Sequence, residues 1–211
     1  MPIRILVCDD HEMLRQGMKD FLTKFFTQAV VGEAGNAHQA LELFSKEKWH
    51  LVLLDIQLPG KDGLRLLPEL KAIQPQVPVL IFSGLSEEEF AVRSLKLGAA
   101  GFIGKGGKTS ELFAAIQKAL AGQRYISPGV AEQIASHVID AGEDAPHNKL
   151  SDREFQVMLS LAHGQAVKEI ADRLSLSAKT VSTYRARVCS KLSLQSDAEI
   201  ARYAIRYGLI D

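Results

Sequence analysis

Short hydrophobic runs alternate with longer segments of helical periodicity in the first 122 residues of the chain. The runs are rich in Val, Ile and Leu, as strands buried on both faces of a parallel sheet are. Apolar residues between them recur every three or four positions, which indicates helices that cross over from strand to strand. The pattern predicts an α/β fold with a five-stranded, doubly wound parallel sheet. The five predicted strands are Ile3–Cys8, Ala29–Ala34, Leu51–Leu54, Val77–Phe82 and Gly101–Ile103.

The chain after residue 148 has a different pattern, with helical periodicity throughout. A capping-box sequence, Ser151 to Glu154, opens the first predicted helix, and Gly164 ends it. A second short helix carries Ile170 and Leu174, a third follows a Ser-Leu-Ser turn, and a fourth covers residues 196–206. This pattern predicts a small all-α domain that contains a helix-turn-helix.

The region between these two patterns is polar and contains Gly and Pro. Ser127-Pro128 can begin a helix that runs through Val138, and the stretch after that helix is typical of a linker. We therefore predict one domain at residues 1–122, a helix and linker at 123–147, and a second domain at 148–211.

The composition is that of an ordinary folded chain, with 211 residues of which 46% are hydrophobic and 24% charged. No apolar run approaches the roughly 18 residues of a membrane span, and the N-terminus does not resemble a secretory signal. We therefore expect a cytoplasmic protein that does not contact a membrane. The two cysteines, Cys8 and Cys189, indicate neither a disulfide framework nor a multi-thiolate metal site.

The net charge of zero conceals an asymmetry along the chain. Residues 1–147 hold 15 Lys and Arg against 18 Asp and Glu, whereas residues 148–211 hold 10 against 7. A basic excess is expected of a domain that contacts phosphate backbones, but an excess this small is weak support by itself.

Polar residues follow four of the five predicted strands. Asp9 and Asp10 come after the first strand, Asp55 after the third and Ser83 after the fourth, and Lys105 lies two residues beyond the fifth. The carboxyl ends of parallel strands open onto one crevice, so these side chains should converge there. Three carboxylates in one small site require a neutralising cation, and oxygen ligands with room for water suit Mg²⁺.

Phosphoryl transfer is the chemistry that these groups allow, because a carboxylate can attack phosphorus while a metal and Lys105 stabilise the charge on the phosphoryl oxygens. Asp55 is the natural acceptor, since it stands alone while Asp9 and Asp10 lie side by side as metal ligands. The alternative is that acidic residues merely decorate exposed strand ends, but the way the roles fit together favours a site. We set aside a zinc site at His11, because the 6 His lack ligand spacing.

Residues 1–122 resemble the receiver domain of two-component response regulators. The resemblance implies that a sensor histidine kinase phosphorylates Asp55. It also implies that Asp10, Asp55 and the main-chain carbonyl of Gln57 hold Mg²⁺, with Asp9 assisting through water, and that Ser83 and Phe102 are the switch residues. The matching segments are the acidic pair, Asp55-Ile-Gln-Leu-Pro59-Gly60-Lys-Asp-Gly63, Phe82-Ser83-Gly84 and Gly98-Ala-Ala-Gly-Phe102-Ile-Gly-Lys105.

The third helix of the second domain has the pattern of a recognition helix, which enters the major groove of DNA. Lysine and arginine on its outward face suit phosphate oxygens, while short side chains suit base edges and thymine methyls. From these features alone, a helical protein-interaction bundle remains an alternative. The predicted DNA-contacting residues are Lys168, Lys179, Thr180, Ser182, Thr183, Arg185, Ala186, Arg187 and Lys191.

Residues 148–211 are similar to the LuxR-type DNA-binding domain, so the whole chain resembles NarL/FixJ-type response regulators. The matching segments are Leu150-Ser-Asp-Arg-Glu154, Lys168-Glu-Ile170-Ala171, Ser177-Ala-Lys-Thr180-Val181 and Lys191-Leu192. The resemblance implies a transcription regulator that binds promoter DNA as a homodimer once it is phosphorylated, with the last helix as a candidate for dimer contacts.

Two other functions stay open at this point. One is a phosphorylation-independent DNA binder whose receiver serves for dimerisation or protein interaction. The other is an aspartate-based phosphatase, although Gln57 stands where a second carboxylate would provide acid-base chemistry. We expect a regulator that takes part in its own phosphorylation and is not a turnover enzyme.

Overall fold

The computed structural model describes residues 2–59, 61–132, 134 and 145–210. The chain divides into two compact units, Met1–Ile134 and Ala135–Asp211. The domain limits at 122 and 148 stay predictions. No helix among the described residues is long and apolar enough to cross a membrane.

The first unit contains the predicted five-stranded parallel sheet, with the strand order β2-β1-β3-β4-β5. The central strand β3 is buried along its whole length, as its continuous apolar sequence requires. The doubly wound α/β fold is therefore confirmed. The strands are β1 (Arg4–Cys8), β2 (Val30–Ala34), β3 (Leu51–Leu54), β4 (Val79–Ser83) and β5 (Gly101–Gly104).

Four helices connect these strands, a fifth follows the last strand, and together they cover the sheet. Met18 and Leu22 of the first helix and Ile116 of the fifth pack with Ile5 and Leu53 in one core on the same face of the sheet. Residues 63–73 and 87–96, for which the periodicity assigned no helix, form the third and fourth. The helices are α1 (Glu12–Phe25), α2 (Ala37–Lys46), α3 (Gly63–Ile73), α4 (Glu87–Lys96) and α5 (Thr109–Leu120).

The fourth strand begins two residues later than predicted, at Val79. The amide of Val77 donates to the carbonyl of Gln74 in a turn, at 3.2 Å, and Pro78 has no amide hydrogen to donate. The strand continues through Ser83, so this residue belongs to the strand end itself.

The chain that leaves α5 returns to the edge of the sheet. Tyr125 forms a parallel bridge with Gly101, and its amide donates to the carbonyl of Ala100 at 2.7 Å. A Cβ at Gly101 would lie 2.6 Å from the carbonyl oxygen of Tyr125, so the bridge requires a glycine there. Residues 128–132 and 134 are helical, and Val130 is buried, whereas the predicted continuation to Val138 lies outside the described residues.

The described part of the second unit, residues 145–210, has only helices as regular elements, as predicted. The capping box is present: the amide of Glu154 donates to the Ser151 hydroxyl, and the amide of Ser151 donates to the Glu154 carboxylate. Ser177 and Ser196 cap the last two helices through their hydroxyls, which accept hydrogen bonds from the amides of Thr180 and Glu199. A short 3-10 helix, Pro146–Lys149, precedes α6 (Asp152–Ala162), α7 (Val167–Arg173), α8 (Ala178–Leu192) and α9 (Asp197–Arg206).

Candidate functional site

Parallel backbone hydrogen bonding continues for one residue beyond the ends of β1, β3 and β5, and it fixes the position of the residue that follows each strand. The amide of Asp9 donates to the carbonyl of Ala34 at 3.0 Å, and the amide of Asp55 donates to the carbonyl of Cys8 at 2.9 Å. The amide of Lys105 donates in the same way to the carbonyl of Ser83, at 2.8 Å. These bonds hold Asp9, Asp55, Ser83 and Lys105 together at the carboxyl edge of the sheet.

Asp55 is the centre of this site, and its side chain is only 1% exposed. Its Oδ1 accepts a hydrogen bond from the Ser83 hydroxyl at 2.8 Å and one from the Gln57 amide at 3.2 Å. Its Oδ2 contacts the Lys105 ammonium at 2.7 Å. The buried carboxylate is thus held by three separate donors that come from three strand ends.

Lys105 connects Asp55 to a second buried carboxylate, since its Nζ also lies 2.7 Å from Asp9 Oδ2. Burial by itself would lower the pKa of Lys105, but the hydrogen bonds to Asp55 and Asp9, together with their charges, raise it above its ordinary value. The lysine therefore stays positively charged between the two acids.

Asp10 completes an acidic cluster at the rim of the site. Its Oδ1 lies 2.8 Å from Nδ1 of His11, and the amide of His11 donates to Asp9 Oδ1 at 2.9 Å. One potential ligand atom from each of Asp9, Asp10, His11 and Asp55 lies within 4.8 Å of the others. Carboxylate oxygens at this spacing, with the exposed Asp10 open to water, fit a hard divalent cation. The Gln57 carbonyl stays a predicted ligand.

Three further groups border the site, and the sequence drew attention only to His11, as a zinc ligand that was set aside. His11 lies inside the acidic cluster, and Arg15 donates from Nη1 to the Asp9 carbonyl at 2.7 Å. Gly63 packs against the strand end so closely that a Cβ would lie 2.1 Å from the Asp55 carbonyl oxygen. Of the other two, only Gly63 had a signal in the sequence, because it ends the receiver-like segment that begins at Asp55.

Cys8 precedes the acidic cluster at the end of β1 and is buried. Burial raises the pKa of its thiol, and the neighbouring Asp9 charge raises it further. The thiol is therefore protonated and plays no part as a nucleophile.

Phe102 points into the protein and is 2% exposed. It lines a cavity of about 270 Å³ together with Glu87 at the start of α4 and Tyr125 and Val130 beyond α5. The aromatic ring therefore borders a cavity that lies between β5 and the chain segment after α5. Its role as a switch residue stays a prediction.

The predicted recognition helix, α8, exposes Lys179, Ser182, Thr183, Ala186 and Arg187. The hydroxyls of Ser182 and Thr183 donate to carbonyls one turn back in the helix, at 2.9 Å each. Thr180 is half-buried, with its hydroxyl 2.8 Å from that of Ser177 at the helix N-cap. These exposed residues lie on one face of α8, with the cations Lys179 and Arg187 about two helical turns apart.

The predicted cations of the second unit differ in their partners. Lys168 and Lys179 are exposed and form no ion pair with any described residue. Arg185 donates from Nε to Asp197 at 2.7 Å, and the Lys191 ammonium lies 2.6 Å from the Glu154 carboxylate. Which of these cations touch DNA stays a prediction.

The last helix, α9, contributes to both the core and the surface. Ile200 and Ala204 are fully buried, whereas Ile205 is 56% exposed. The Tyr203 hydroxyl accepts a hydrogen bond from the His147 amide at 3.1 Å, and burial raises the pKa of Tyr203 to about 12. Most of the apolar surface of this helix is thus used inside the unit.

Comparison with known proteins identifies both units. The family model for the response regulator receiver domain matches residues 5–117, and the model for bacterial regulatory proteins of the luxR family matches residues 148–204. Response regulator GacA of Pseudomonas aeruginosa is 40% identical over 210 residues, which cover 99% of this chain and 98% of GacA. Response regulator UvrY of Escherichia coli K12 is 36% identical over 208 residues, which cover 98% of this chain and 95% of UvrY.

A solved structure supports the same fold. RcsB from Salmonella enterica serovar Typhimurium, bound to promoter rprA in the presence of the phosphomimetic BeF3⁻, matches with a TM-score of 0.63 at 23% identity. The match covers 96% of this chain and 98% of that one. With the two family matches and the full-length relatives, it follows that the chain belongs to the NarL/FixJ-type response regulators, which join a receiver domain to a LuxR-type DNA-binding domain.

Proposed function

We propose that the protein is a phosphorylation-gated transcription regulator in which Asp55 accepts a phosphoryl group from a sensor histidine kinase. The observation that carries this proposal is the arrangement around Asp55, where a buried carboxylate faces a charged lysine, a hydroxyl and the acidic pair of Asp9 and Asp10. A carboxylate that only supported the fold would not need this set of groups.

The reaction forms a bond between an Asp55 oxygen and phosphorus and breaks the bond between phosphorus and the donor nitrogen of a phosphohistidine. The histidine nitrogen leaves with the electron pair and takes up a proton. Lys105, 2.7 Å from Asp55 Oδ2, offers its positive charge to the phosphoryl oxygens, and the Ser83 hydroxyl offers a hydrogen bond. These donors are already in place, so little reorganisation accompanies the transfer.

The cation that this site suits is Mg²⁺, held by Asp10 and Asp55 with the main-chain carbonyl of Gln57 and with Asp9 nearby. When bound, it neutralises charge on the phosphoryl oxygens. Lys105 neutralises Asp9 and Asp55 on one side, and the open side toward the exposed Asp10 leaves space for the cation.

The switch works through the groups that contact Asp55. A phosphoryl group on Asp55 takes over the hydrogen bond of Ser83 and the charge of Lys105. Ser83 ends β4, and Lys105 follows β5, the strand that carries Phe102. Phosphorylation can shift the protein only as far as it stabilises one state over the other. A change from about 1:99 to 99:1 requires roughly 5.5 kcal/mol.

The output is binding of promoter DNA by the LuxR-type domain, as a homodimer on two half-sites. Support comes from the exposed polar face of α8 and from the relatives, since RcsB was solved on a promoter with a phosphomimetic. The exposed cations Lys179 and Arg187 suit phosphates, and the short side chains of Ser182, Thr183 and Ala186 suit base edges.

The test begins with the full-length protein, Mg²⁺ and acetyl phosphate, followed by intact mass and a sizing column. Asp55→Asn is the control, and Asp62→Asn is a matched control because Asp62 is a nearby buried aspartate that caps α3. We expect one phosphoryl mass on the wild type and on Asp62→Asn, none on Asp55→Asn, and a shift of the phosphorylated protein toward dimer.

DNA binding is then measured with and without phosphorylation. An affinity that Asp55→Asn leaves unchanged, with no phosphoryl mass on the wild type, would replace this proposal by the phosphorylation-independent regulator. Repeated release of phosphate from small phosphoesters would instead identify an aspartate-based phosphatase.

A further inference from the structure

The carboxylate of Glu154 is a charged group in the core of the DNA-binding domain. The residue is 3% exposed, yet it lies in the first turn of α6, where its Oε2 accepts a hydrogen bond from the Ser151 amide at 2.7 Å. The remaining contact of Oε2 is the Lys191 ammonium at 2.6 Å. Lys191 also donates to the carbonyl of Lys149 at 3.3 Å.

This ion pair is required by the buried carboxylate. Burial alone would raise the pKa of Glu154, but Lys191 and the hydrogen bonds with Ser151 lower it below its ordinary value. A buried carboxylate that loses its cation is strongly destabilising, whereas an exposed pair contributes little. The side chain of Lys191 therefore has a structural partner that the fold depends on.

The position of Lys191 along α8 also supports a structural role for this residue. It lies in the last turn of α8, about 18 Å along the helix axis from Lys179 at about 1.5 Å per residue. Residues near the start of a recognition helix make the base contacts. Lys191 is thus about three turns away from the start of the helix, where residues are expected to contact bases.

We propose that Lys191 is a positioning residue, which fixes α8 against the first turn of α6 through Glu154, and that it is not a phosphate contact. The proposal rests on the DNA-binding function proposed above and assigns the lysine a different task within it. The cations Lys191 and Arg185 are similarly exposed, at 40% and 37%, so it is the burial of Glu154, which is 4% exposed, that makes the Lys191 pair structural. Arg185 is a useful contrast, because its partner in the pair is Asp197, which is 48% exposed. That pair is weak and leaves Arg185 available to DNA.

The first experiment measures the affinity of the full-length protein for a mixed-sequence duplex as a function of salt. Each lost phosphate contact reduces the slope of log K against log salt by about 0.9. We expect Lys179→Gln to reduce the slope by this amount and Lys191→Gln to leave it unchanged. Equal reductions for the two variants would overturn the proposal.

The second experiment measures amide hydrogen exchange of peptides from α8 in the same proteins. Lys191→Gln should accelerate exchange by about tenfold or more, because it leaves the buried Glu154 carboxylate without its cation. Glu154→Gln should accelerate exchange less, because the Lys191 side chain is 40% exposed and stays hydrated. The double variant should exchange no faster than Lys191→Gln alone, and Lys191→Arg should restore protection. Lys179→Gln, with the same charge change on an exposed residue, should exchange like the wild type.

The two experiments separate the two proposals. If the wild type binds no duplex at any salt concentration, the DNA-binding function fails, and the exchange measurements still decide whether Lys191 fixes α8. Additive effects of Lys191→Gln and Glu154→Gln on exchange would refute the positioning role even if DNA binding is observed.

Discussion

Replacing Lys105 with Met removes the cation that contacts both buried carboxylates of the phosphorylation site. Asp9 and Asp55 are each 1% exposed, and the Lys105 ammonium lies 2.7 Å from an oxygen of each. Met keeps most of the length and apolar volume of the lysine side chain. The variant therefore tests the charge rather than the packing.

The expected loss of stability can be bounded from proton binding. Breaking a buried pair typically costs about 3–5 kcal/mol. A stranded carboxylate can instead take up a proton, which at pH 7 costs about 4 kcal/mol for an ordinary Asp pKa near 3.9 and about 1.4 kcal/mol per pH unit. We therefore expect Lys105→Met to lower the free energy of unfolding by about 3–4 kcal/mol at pH 7 and by about 2 kcal/mol at pH 5.5.

The sign of the pH dependence follows from which state binds the extra proton. In the variant only the folded state takes up this extra proton, and the cost of taking it up falls with the pH, so the deficit shrinks as the pH falls. Millimolar Mg²⁺ should also restore part of the lost stability, because the cation replaces the missing charge.

Urea unfolding followed by tryptophan fluorescence is the appropriate assay. Trp49 is the single tryptophan of the chain, and it is buried in the first unit, so its signal reports on the receiver alone. Lys108→Met is the matched control, because Lys108 is exposed and lies only three residues further along. A loss below about 1 kcal/mol with no dependence on pH would refute the proposed electrostatic role of Lys105.

Three further predictions test other parts of the structure. Gly63→Ala places a Cβ 2.1 Å from the Asp55 carbonyl oxygen. We therefore expect the free energy of unfolding in urea to fall by about 3 kcal/mol or more, the upper end of the range for overpacking, and phosphorylation by acetyl phosphate to become slower. Gly32→Ala places a Cβ 2.2 Å from the Trp49 ring, and the displaced indole should shift the fluorescence maximum, which an unchanged emission spectrum would contradict. The folded state lowers the pKa of Glu154, so its ionised carboxylate stabilises the fold above about pH 4.5, and this stabilisation is lost as the pH falls through the lower folded pKa. An acid titration followed by circular dichroism should show this loss in the wild type and not in Glu154→Gln.

The sheet and most of its site could be predicted because they depend on local sequence patterns. Buried parallel strands are continuous apolar runs, and their carboxyl ends meet in one crevice, which brings Asp9, Asp55, Ser83 and Lys105 together. The start of β4 was wrong by two residues because a proline next to Val79 changes the hydrogen bonding of a run that is otherwise apolar.

The contacts that could not be predicted join residues far apart in sequence. Nothing in the exposed position of Lys191 indicates that its partner is Glu154, since the capping box already explains that glutamate. In the same way, Arg15 belongs to a helix whose pattern describes only its apolar face, so its contact with the Asp9 carbonyl had no signal. Partner choice among charged side chains is set by tertiary geometry, which periodicity does not encode.

The bridge between Tyr125 and Gly101 has a practical consequence for work with the receiver alone. An edge strand with unpaired amides and carbonyls is a template for pairing with another chain. The bridge occupies part of that edge on β5, and Val130 buries its side chain a few residues later. A fragment that ends at residue 122 would remove both and leave the strand open to self-association, so an expression fragment of the receiver should extend beyond Val130.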